Sequence, residues 1–345
     1  MSIPIENLYY LLSYAWNKLE EKDYVYVSLD GAIDSLGLIA RILVSGTHNL
    51  LKRGLEKNYV SNSMEVAGVK GKILLTETLK TGVYLRQKTV CMVDEFREDI
   101  LPNQILLFTF HRLLRTDNLG TEQKSQIRRI LRKLPKITYR NIKKKDFSRV
   151  LFHRNNRIYE FLIHVCALLF EQSLPGEQEG KWKFIDFTRD ERKMNQLYEA
   201  FLLQFYKRHY PQWNIASRVI HWQLETIRDE NDIEYIPIMR TDITIDKEDT
   251  RIIIDAKYYK ETLNRYKKTE KIKSGNLYQL FSYLINQRDG TLRTEEATGI
   301  LLYPTIRQEY DLEYRYQSHK IYIKTVNLNT PWYNIEKRLH EIVSG

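Results

Sequence analysis

The sequence predicts a mixed α/β protein built from two domains, and three observations support this fold class. Stretches with the apolar spacing of amphipathic helices alternate with short β-branched runs, of which Ile252–Ile254 is the clearest. A polar segment with a Pro-Gly pair, Ser173 to Gly180, separates two halves that each contain both patterns. The 345 residues suffice for two hydrophobic cores. We therefore expect an α+β domain over residues 1–174 and a second α/β domain over residues 181–345.

The first half is expected to be mixed α and β. Pro4 is suited to the first turn of a helix, and the apolar stripe that follows it continues to about Leu19. Between Tyr59 and Val93, short β-like segments are broken by three glycines, which predicts hairpins. Helical apolar spacing predicts further helices over residues 34–55, 103–114, 121–132 and 155–171.

The second half predicts a sheet with helices around it. The continuous run Ile252–Ile254 is typical of a strand that is buried on both faces. A helix between two strands suits a crossover connection of an α/β sheet. The expected order is a helix at 191–209, a strand at 213–219, a hairpin at 238–259, a helix at 275–285, strands at 299–303 and 320–326, and a helix at 333–342.

Composition excludes several classes of protein. With 43% hydrophobic and 28% charged residues, the chain has the balance of a globular protein rather than a disordered one. No apolar run approaches the roughly 20 residues of a membrane-spanning helix. Its first 16 residues lack the pattern of a cleavable signal. Cys91 and Cys166 have no zinc-type spacing and are expected to be reduced structural thiols. We expect a cytoplasmic protein with no membrane partner.

Positive charge is concentrated in two segments of the chain, whose net charge is +10. Residues 124–149 hold eleven Lys and Arg against one acid, and residues 251–273 hold eight against three. The second segment surrounds the candidate site described next, which favours a polyanionic substrate. The first segment predicts either a phosphate-binding surface or a partner-docking face, and a solvated helix face is an equally ordinary interpretation.

Asp242, Asp255 and Lys257 carry the strongest functional signal. Asp242 lies in an alternating strand, and a polar turn joins it to the strand that ends with Asp255-Ala256-Lys257. Asp255 and Lys257 are two residues apart, so their side chains point to the same side of that strand. Two carboxylates and an amine on adjacent strands suit phosphodiester hydrolysis. The alternative is a surface ion pair on adjacent strands, which would contribute little to stability.

The two carboxylates predict a Mg²⁺ site. This hard cation is usually held by one or two carboxylates and keeps several waters. We expect Asp242, Asp255 and the backbone carbonyl of Ala256 to be its ligands, and Lys257 to orient or deprotonate the attacking water. Glu199, in the helix that precedes the sheet, is a further candidate ligand, although an exposed helix residue is the more ordinary interpretation.

Gln279 and Tyr283 lie one helical turn apart, on the flank of the helix predicted after the hairpin. Gln279 could position the water or a phosphate, and Tyr283 could contact DNA. The alternative is the edge of a plain amphipathic helix.

Two other chemistries lack support. Gly68-Val69-Lys70-Gly71-Lys72 lacks the spacing of a P-loop, so we expect no nucleotide hydrolysis by this chain. The histidines are scattered without a serine and carboxylate arrangement, which gives acyl transfer no support.

These motifs together resemble the PD-(D/E)XK nuclease superfamily, with Thr241 in place of the proline and with the Gln-x-x-x-Tyr element of its RecB-like branch. The chain also resembles the McrC family, the nuclease subunits of McrBC modified-cytosine restriction systems. The segments that carry this resemblance span nearly the whole chain: residues 5–16, 68–73, 132–135, 173–176, 255–259 and 276–280.

The resemblance implies a PD-(D/E)XK restriction-endonuclease-like domain after an N-terminal docking domain. It implies a Mg²⁺-dependent DNA endonuclease, active in complex with a McrB-like AAA+ ring that recognises methylated cytosine. The ring would bind and hydrolyse GTP, and the N-terminal part of this chain would insert into it and stimulate that hydrolysis. Two alternatives stay open: a stand-alone RecB-like DNA nuclease, and a non-catalytic adaptor that activates an AAA+ ring.

Overall fold

The computed structural model describes residues 3–16, 34–153, 156–176, 178, 180–225, 227, 230–259, 264–266, 269–306 and 309–344. These residues form two compact units. The middle unit comprises Leu36–Ile185, and the terminal unit comprises the described residues before Leu36 together with those from Asp186 onward. The predicted domains, 1–174 and 181–345, differ from this division in two ways. They placed the N-terminal residues in the first domain, and they placed the boundary before residue 185.

The first helix, α1 (Ile5–Ala15), belongs to the terminal unit. Its apolar stripe is buried, and the Tyr14 ring packs against Phe201 and Phe205 at centroid distances of 5.6 and 5.3 Å. The Asn7 side chain donates to the carbonyls of Leu328 and Thr330 (2.9 and 2.8 Å). Periodicity predicts that such a stripe is buried but not which element covers it, and here the covering elements belong to the terminal unit. The predicted end near Leu19 lies outside the described residues.

The middle unit combines helices with a small antiparallel sheet of strand order β1-β3-β2. Its elements are α2 (Ser35–Arg53), β1 (Asn58–Ala67), β2 (Lys72–Ile73), α3 (Leu75–Thr81), β3 (Lys88–Arg97), α4 (Leu101–Leu114), α5 (Thr121–Lys133), α6 (Lys144–Phe147), α7 (Arg157–Glu171), β4 (Ser173–Pro175) and β5 (Trp182–Phe184). The predicted hairpin region therefore also contains α3, which the sequence did not predict. Gly71 adopts a positive φ of 74°, and a Cβ there would collide with the Met92 carbonyl.

The predicted linker, Ser173 to Gly180, is instead part of a hairpin. Strands β4 and β5 pair with each other, and the Gly176 N–H donates to the Lys181 carbonyl (2.8 Å). A Pro-Gly pair is as suitable for a tight turn as for a linker, and only strand pairing distinguishes the two. The boundary between the units consequently falls after Ile185.

The terminal unit is built on a six-stranded mixed sheet with the order β14-β15-β13-β10-β9-β6. Strands β10, β13 and β15 are parallel to one another, and the other pairs are antiparallel. Besides α1, its elements are α8 (Glu191–His209), β6 (Asn214–Ala216), β7 (Val219–Ile220), β8 (Met239–Arg240), β9 (Ile243–Asp246), β10 (Arg251–Ala256), β11 (Asn264–Tyr266), β12 (Thr269–Lys271), α9 (Ser274–Asn286), α10 (Leu292–Glu295), β13 (Thr298–Thr305), β14 (Asp311–Tyr316), β15 (His319–Asn327) and α11 (Trp332–Ser344).

The core of the terminal unit lies between this sheet and its helices. Ile252, Ile253 and Ile254 of β10 are all buried, as predicted for a strand covered on both faces. Helix α8 packs against β6, β9 and β10, while α9 packs against β10 and β13. Gly299 of β13 permits the close approach of α9, because a Cβ there would lie 2.9 Å from a methyl group of Leu284. In the described part of the chain, no helix is long and apolar enough to cross a membrane.

Candidate active site

The hairpin of β9 and β10 brings Asp242 and Asp255 to the same end of the sheet. The strands are antiparallel, with Ile243 opposite Ile254, so the residues that flank this pair also face each other. Asp242 directly precedes β9, and its Oδ2 accepts a hydrogen bond from the Ala256 N–H (2.8 Å). The two acids are 13 residues apart in the sequence and adjacent in space.

Lys257 lies between the two carboxylates. Its Nζ is 2.8 Å from Asp255 Oδ1 and 3.8 Å from Asp242 Oδ2. Only 13% of the lysine side chain is exposed. The three residues that the sequence singled out thus form one cluster, at the end of two buried strands.

Burial and crowding of charge shift the pKa values of this cluster. Burial raises the pKa of Asp255 to about 7; Lys257 opposes this shift and Asp242 adds to it. Burial also raises the pKa of Asp242, against the lowering effects of Lys257 and the Ala256 N–H. Burial acts to lower the pKa of Lys257, but the two carboxylates outweigh it and the net shift is upward. One lysine therefore does not fully compensate two buried acids.

The donor set fits a divalent cation. Asp255 is fully buried, and its Oδ1 accepts from Lys257, whereas its Oδ2 has no hydrogen-bond partner among the described residues. A buried carboxylate oxygen without a partner is costly unless a cation or water satisfies it. The oxygens of Asp255 and Asp242 are hard ligands of the kind that Mg²⁺ prefers.

Helix α8 contributes a third carboxylate, that of Glu199. Burial raises the pKa of Glu199 to about 7, and the charge of Asp242 contributes to the shift. Asn195, one helical turn earlier, donates from Nδ2 to Glu199 Oε1 and accepts at Oδ1 from the Tyr258 N–H (2.7 Å). Sequence reasoning missed Asn195, although its spacing of four residues from Glu199 was a signal that both lie on one helix face.

Gln279 and Tyr283 form a hydrogen-bonded pair on α9. Gln279 Nε2 donates to the Tyr283 hydroxyl (2.6 Å), which donates to the Arg240 carbonyl (2.8 Å). Tyr283 is only 3% exposed, and the charges of Asp255 and Asp242 contribute to the raised pKa of its hydroxyl, after burial. The pair therefore contacts the segment that leads into Asp242, and this burial does not favour the predicted contact of Tyr283 with DNA.

Thr241 holds the backbone next to Asp242 with bonds that a proline could not make. Its N–H donates to the Arg218 carbonyl (2.9 Å), and its hydroxyl accepts from the Arg218 N–H (3.0 Å). The Ser217 hydroxyl donates to the Thr241 carbonyl (2.6 Å). Asp242 is thus presented by a segment that is fixed on both sides.

The basic segment 251–273 is only partly described, since residues 260–263 and 267–268 lie outside the described residues. Within it, Arg251 donates to both carboxylate oxygens of Asp246 (2.6 and 3.1 Å), and the Lys273 ammonium lies 3.3 Å from the ring centroid of Tyr259. These cations have partners in the protein.

A second group of potential metal ligands consists of His209, Glu336 and His340. The Tyr14 and Tyr210 hydroxyls are hydrogen-bonded to the two imidazoles (3.0 and 2.8 Å). Both histidines therefore already have a hydrogen-bond partner within the protein, and His209 Nε2 also lies 3.6 Å from Glu336 Oε1.

Fold and site together define a mixed α/β protein with a carboxylate–lysine cluster suited to a divalent cation. The chain belongs to the family of McrBC 5-methylcytosine restriction system components, since the model of that family matches residues 5–304. This membership confirms the resemblance to the McrC family that the sequence motifs indicated.

Two similar proteins extend the comparison. The type IV methyl-directed restriction enzyme EcoKMcrBC of Escherichia coli (strain K12) is 34% identical over 343 residues, which cover 99% of this chain and 97% of that protein. A solved assembly of Thermococcus gammatolerans McrB AAA+ hexamers with bound McrC contains a chain with a TM-score of 0.58 and 17% identity. The match covers 99% of this chain and 76% of that one, and it confirms the mixed α/β fold.

Proposed function

We propose that this chain is the nuclease component of a GTP-driven, modification-dependent restriction complex and that it hydrolyses DNA phosphodiester bonds with Mg²⁺. The observation that carries the proposal is the convergence of Asp242, Asp255 and Lys257, with one buried oxygen of Asp255 that no described residue partners. A purely structural ion pair would satisfy its carboxylate oxygens.

Each residue has a role that follows from its position. Asp242 and Asp255 hold the cation, with the Ala256 carbonyl as a further ligand and Glu199 as a candidate ligand on the α8 side. Bound Mg²⁺ would acidify water and polarise a phosphoryl oxygen. Lys257 orients the attacking water and stabilises negative charge that develops on the phosphate. Asn195, Gln279 and Tyr283 position these groups through Glu199, Tyr258 and Arg240.

The similar proteins support the partner and the substrate class. The Escherichia coli relative is a methyl-directed restriction enzyme, and the Thermococcus assembly contains McrC bound to McrB AAA+ hexamers. We propose that this chain likewise docks on a McrB-like AAA+ ring, which binds the GTP, and that the complex cleaves methylated DNA in the cytoplasm.

The middle unit carries an exposed apolar surface suited to such docking. Tyr59 and Phe96 lie side by side on the β1–β3 sheet, with ring centroids 5.3 Å apart and both rings exposed. Leu75, Leu79 and Leu85, in α3 and the turn that follows it, are also exposed. Large apolar side chains left exposed in one unit favour a protein–protein interface. We name these five residues the apolar docking surface.

DNA cleavage in Mg²⁺ tests the proposal. Wild type and Asp255→Ala are each incubated with methylated DNA, alone and with the AAA+ partner plus GTP. We expect cleavage only by wild type in the complete mixture. Cleavage by the chain alone would favour the stand-alone nuclease. Stimulated GTP hydrolysis without cleavage under any condition would favour the non-catalytic adaptor.

A further inference from the structure

A pocket of about 330 Å³ lies in the middle unit, at the end of α4. Its walls include Arg112 from the last turn of that helix, Arg115 directly after the helix, and Trp182 from β5. The Trp182 N–H donates to the Arg115 carbonyl (3.0 Å), and the Asp117 N–H donates to the Trp182 carbonyl (2.9 Å). These backbone bonds hold the pocket walls together without a ligand.

Arg112 is a buried cation with no counter-ion in the described part of the chain. Its side chain is stacked among three aromatic rings, with the guanidinium carbon 3.7 Å from the Trp182 ring centroid and 4.6 Å from that of Phe170. The residue is 7% exposed; within the described ranges its Nε has no hydrogen-bond partner, and its Nη1 lies 3.5 Å from the Phe170 carbonyl. Among the described residues, no carboxylate forms an ion pair with it.

The charge of Arg112 is retained at neutral pH. Burial lowers the pKa of its guanidinium to about 10, with a small opposing effect of Tyr139. A buried charge without an opposite charge is unfavourable, and the planar guanidinium fork matches the oxygens of an oxyanion. The aromatic rings compensate this charge only in part. Arg112 therefore offers an uncompensated positive charge and guanidinium N–H donors to an anion that enters the pocket.

The pocket mouth is also positive. Arg115 is exposed, and in the described part of the chain it has no ion-pair partner. The neighbouring basic segment, residues 124–149, contains a single acid, Asp146. Asp146 is already held by Arg140 (3.1 Å), Arg149 (3.7 Å) and the Lys143 N–H (2.8 Å). No acid of this segment is left to neutralise the pocket.

We propose that this pocket binds a phosphate group of the DNA backbone, with Arg112 and Arg115 as its guanidinium ligands. The long uncompensated basic segment beside the pocket favours a nucleic-acid phosphate over a single carboxylate of a partner protein. The pocket lies in the middle unit, so it is a second DNA contact in addition to the nuclease site of the terminal unit. The proposal also assigns a phosphate-binding role to the basic segment 124–149, for which the sequence left a partner-docking face and a solvated helix face as alternatives.

DNA affinity measured by fluorescence anisotropy over a series of KCl concentrations tests the proposal. The full-length chain is used in EDTA so that no cleavage occurs, and each variant is checked by its melting curve. We expect Arg115→Gln to weaken binding uniformly across sequences and to reduce the slope of log K against log[KCl] by about 1. Arg86→Gln, which removes an exposed arginine of the same unit outside the pocket, should leave the slope unchanged. An unchanged slope in Arg115→Gln would overturn the assignment to DNA.

Calorimetric titration with inorganic phosphate tests whether the group that binds in the pocket is a DNA phosphate or a small phosphate ligand. We expect phosphate to bind wild type, to compete with DNA, and to lose at least tenfold in affinity in Arg112→Met. Phosphate binding without any effect of Arg115→Gln on DNA would point to a small phosphate ligand instead. Loss of partner-stimulated GTP hydrolysis in Arg115→Gln, with normal binding of phosphate and DNA by that variant, would point to a carboxylate of the partner protein as the ligand. Either result would overturn the proposal, and neither depends on the nuclease activity.

Discussion

The Ala256 N–H donates to the carboxylate of Asp242 across 2.8 Å, and this bond joins the start of β9 to the end of β10. The same peptide segment carries Asp255 and Lys257, so a single backbone contact fixes the relative position of all three groups. An asparagine at 242 could still accept this bond through its amide oxygen. Asp242→Asn is therefore a better probe of the charge than Asp242→Ala, which also removes the bond.

Lys257→Ala should separate cleavage from partner stimulation. Loss of a group that orients or deprotonates water reduces rates by about 10²–10⁴-fold. We expect this loss in DNA cleavage, with GTP hydrolysis by the partner largely unchanged, and the same division for Asp255→Ala. Rates of both reactions in the reconstituted complex provide the measurement. Lys320→Ala, at an exposed position of β15, is the matched control, and loss of both activities in a folded Lys257→Ala variant would contradict the proposed division.

Tyr283→Phe should impair catalysis through the position of Asp242. The substitution removes the hydroxyl that bonds to the Arg240 carbonyl while preserving the buried ring. We expect a loss of about 1 kcal/mol in the free energy of unfolding and a reduced kcat with little change in KM for DNA. Tyr278→Phe removes a hydroxyl from a residue of the same helix that is 68% exposed, and it should change neither quantity. A mainly increased KM in Tyr283→Phe would favour direct contact with DNA.

The metal-free protein should lose stability as the pH rises from about 4 to about 7. Burial raises the pKa of Asp255 from its ordinary value of 3.8 to about 7, so over this range the folded state retains a proton that the unfolded state releases. The stabilising contribution of this protonated carboxyl is complete below the unfolded pKa and is lost as the pH rises through the folded pKa. Thermal melting in EDTA at a series of pH values measures the effect.

Mg²⁺ should reverse this loss at pH 8, because a ligand that binds only the folded state stabilises it, by about 2.7 kcal/mol at a hundredfold excess over its Kd. Asp255→Asn should melt independently of Mg²⁺ and with a weaker dependence on pH. Equal Mg²⁺ stabilisation of wild type and Asp255→Asn would show that Asp255 is not a ligand.

Glu199→Gln should alter the Mg²⁺ requirement rather than abolish cleavage. Glu199 adds negative charge beside Asp242, and glutamine can still bond to Asn195. We expect a severalfold higher Mg²⁺ concentration for half-maximal cleavage, measured by titration in the complete complex. Glu248→Gln, at an exposed position in the turn between β9 and β10, is the matched control. An unchanged Mg²⁺ titration would make Glu199 a structural residue.

The apolar docking surface should be needed for partner activation. Leu79→Ser combined with Leu85→Ser makes two exposed positions polar, so the free chain should melt as wild type does. We expect a loss of at least tenfold in stimulated GTP hydrolysis and in partner affinity. Leu292→Ser, at an exposed position of the terminal unit, should change neither. Normal stimulation by the double variant would place the docking site elsewhere.

Local sequence patterns predicted the elements that have a buried apolar face. Residues 191–209 form a helix with the predicted bounds, and the buried strand at Ile252–Ile254 is present, because burial on one or both faces leaves a direct periodicity in the sequence. Strand β14 was not predicted. Its polar residues alternate with Leu312, Tyr314 and Tyr316, as in a strand, but all its residues are exposed and the run is short, so its pairing with β15 is what defines it.

For the candidate site, local sequence patterns were enough to group the residues. Strand alternation and a short turn group Asp242, Asp255 and Lys257, and helical spacing groups Gln279 with Tyr283. What each of these residues contacts depends on the tertiary structure. Packing between elements distant in the sequence sets these contacts. It brings Asn195 to Tyr258 and Tyr283 to the Arg240 carbonyl, leaves Asp255 Oδ2 without a partner among the described residues, and surrounds Arg112 with aromatic rings. Periodicity indicates that a face is buried. Which atoms cover that face is fixed only when the elements pack, and these atoms set the local electrostatics.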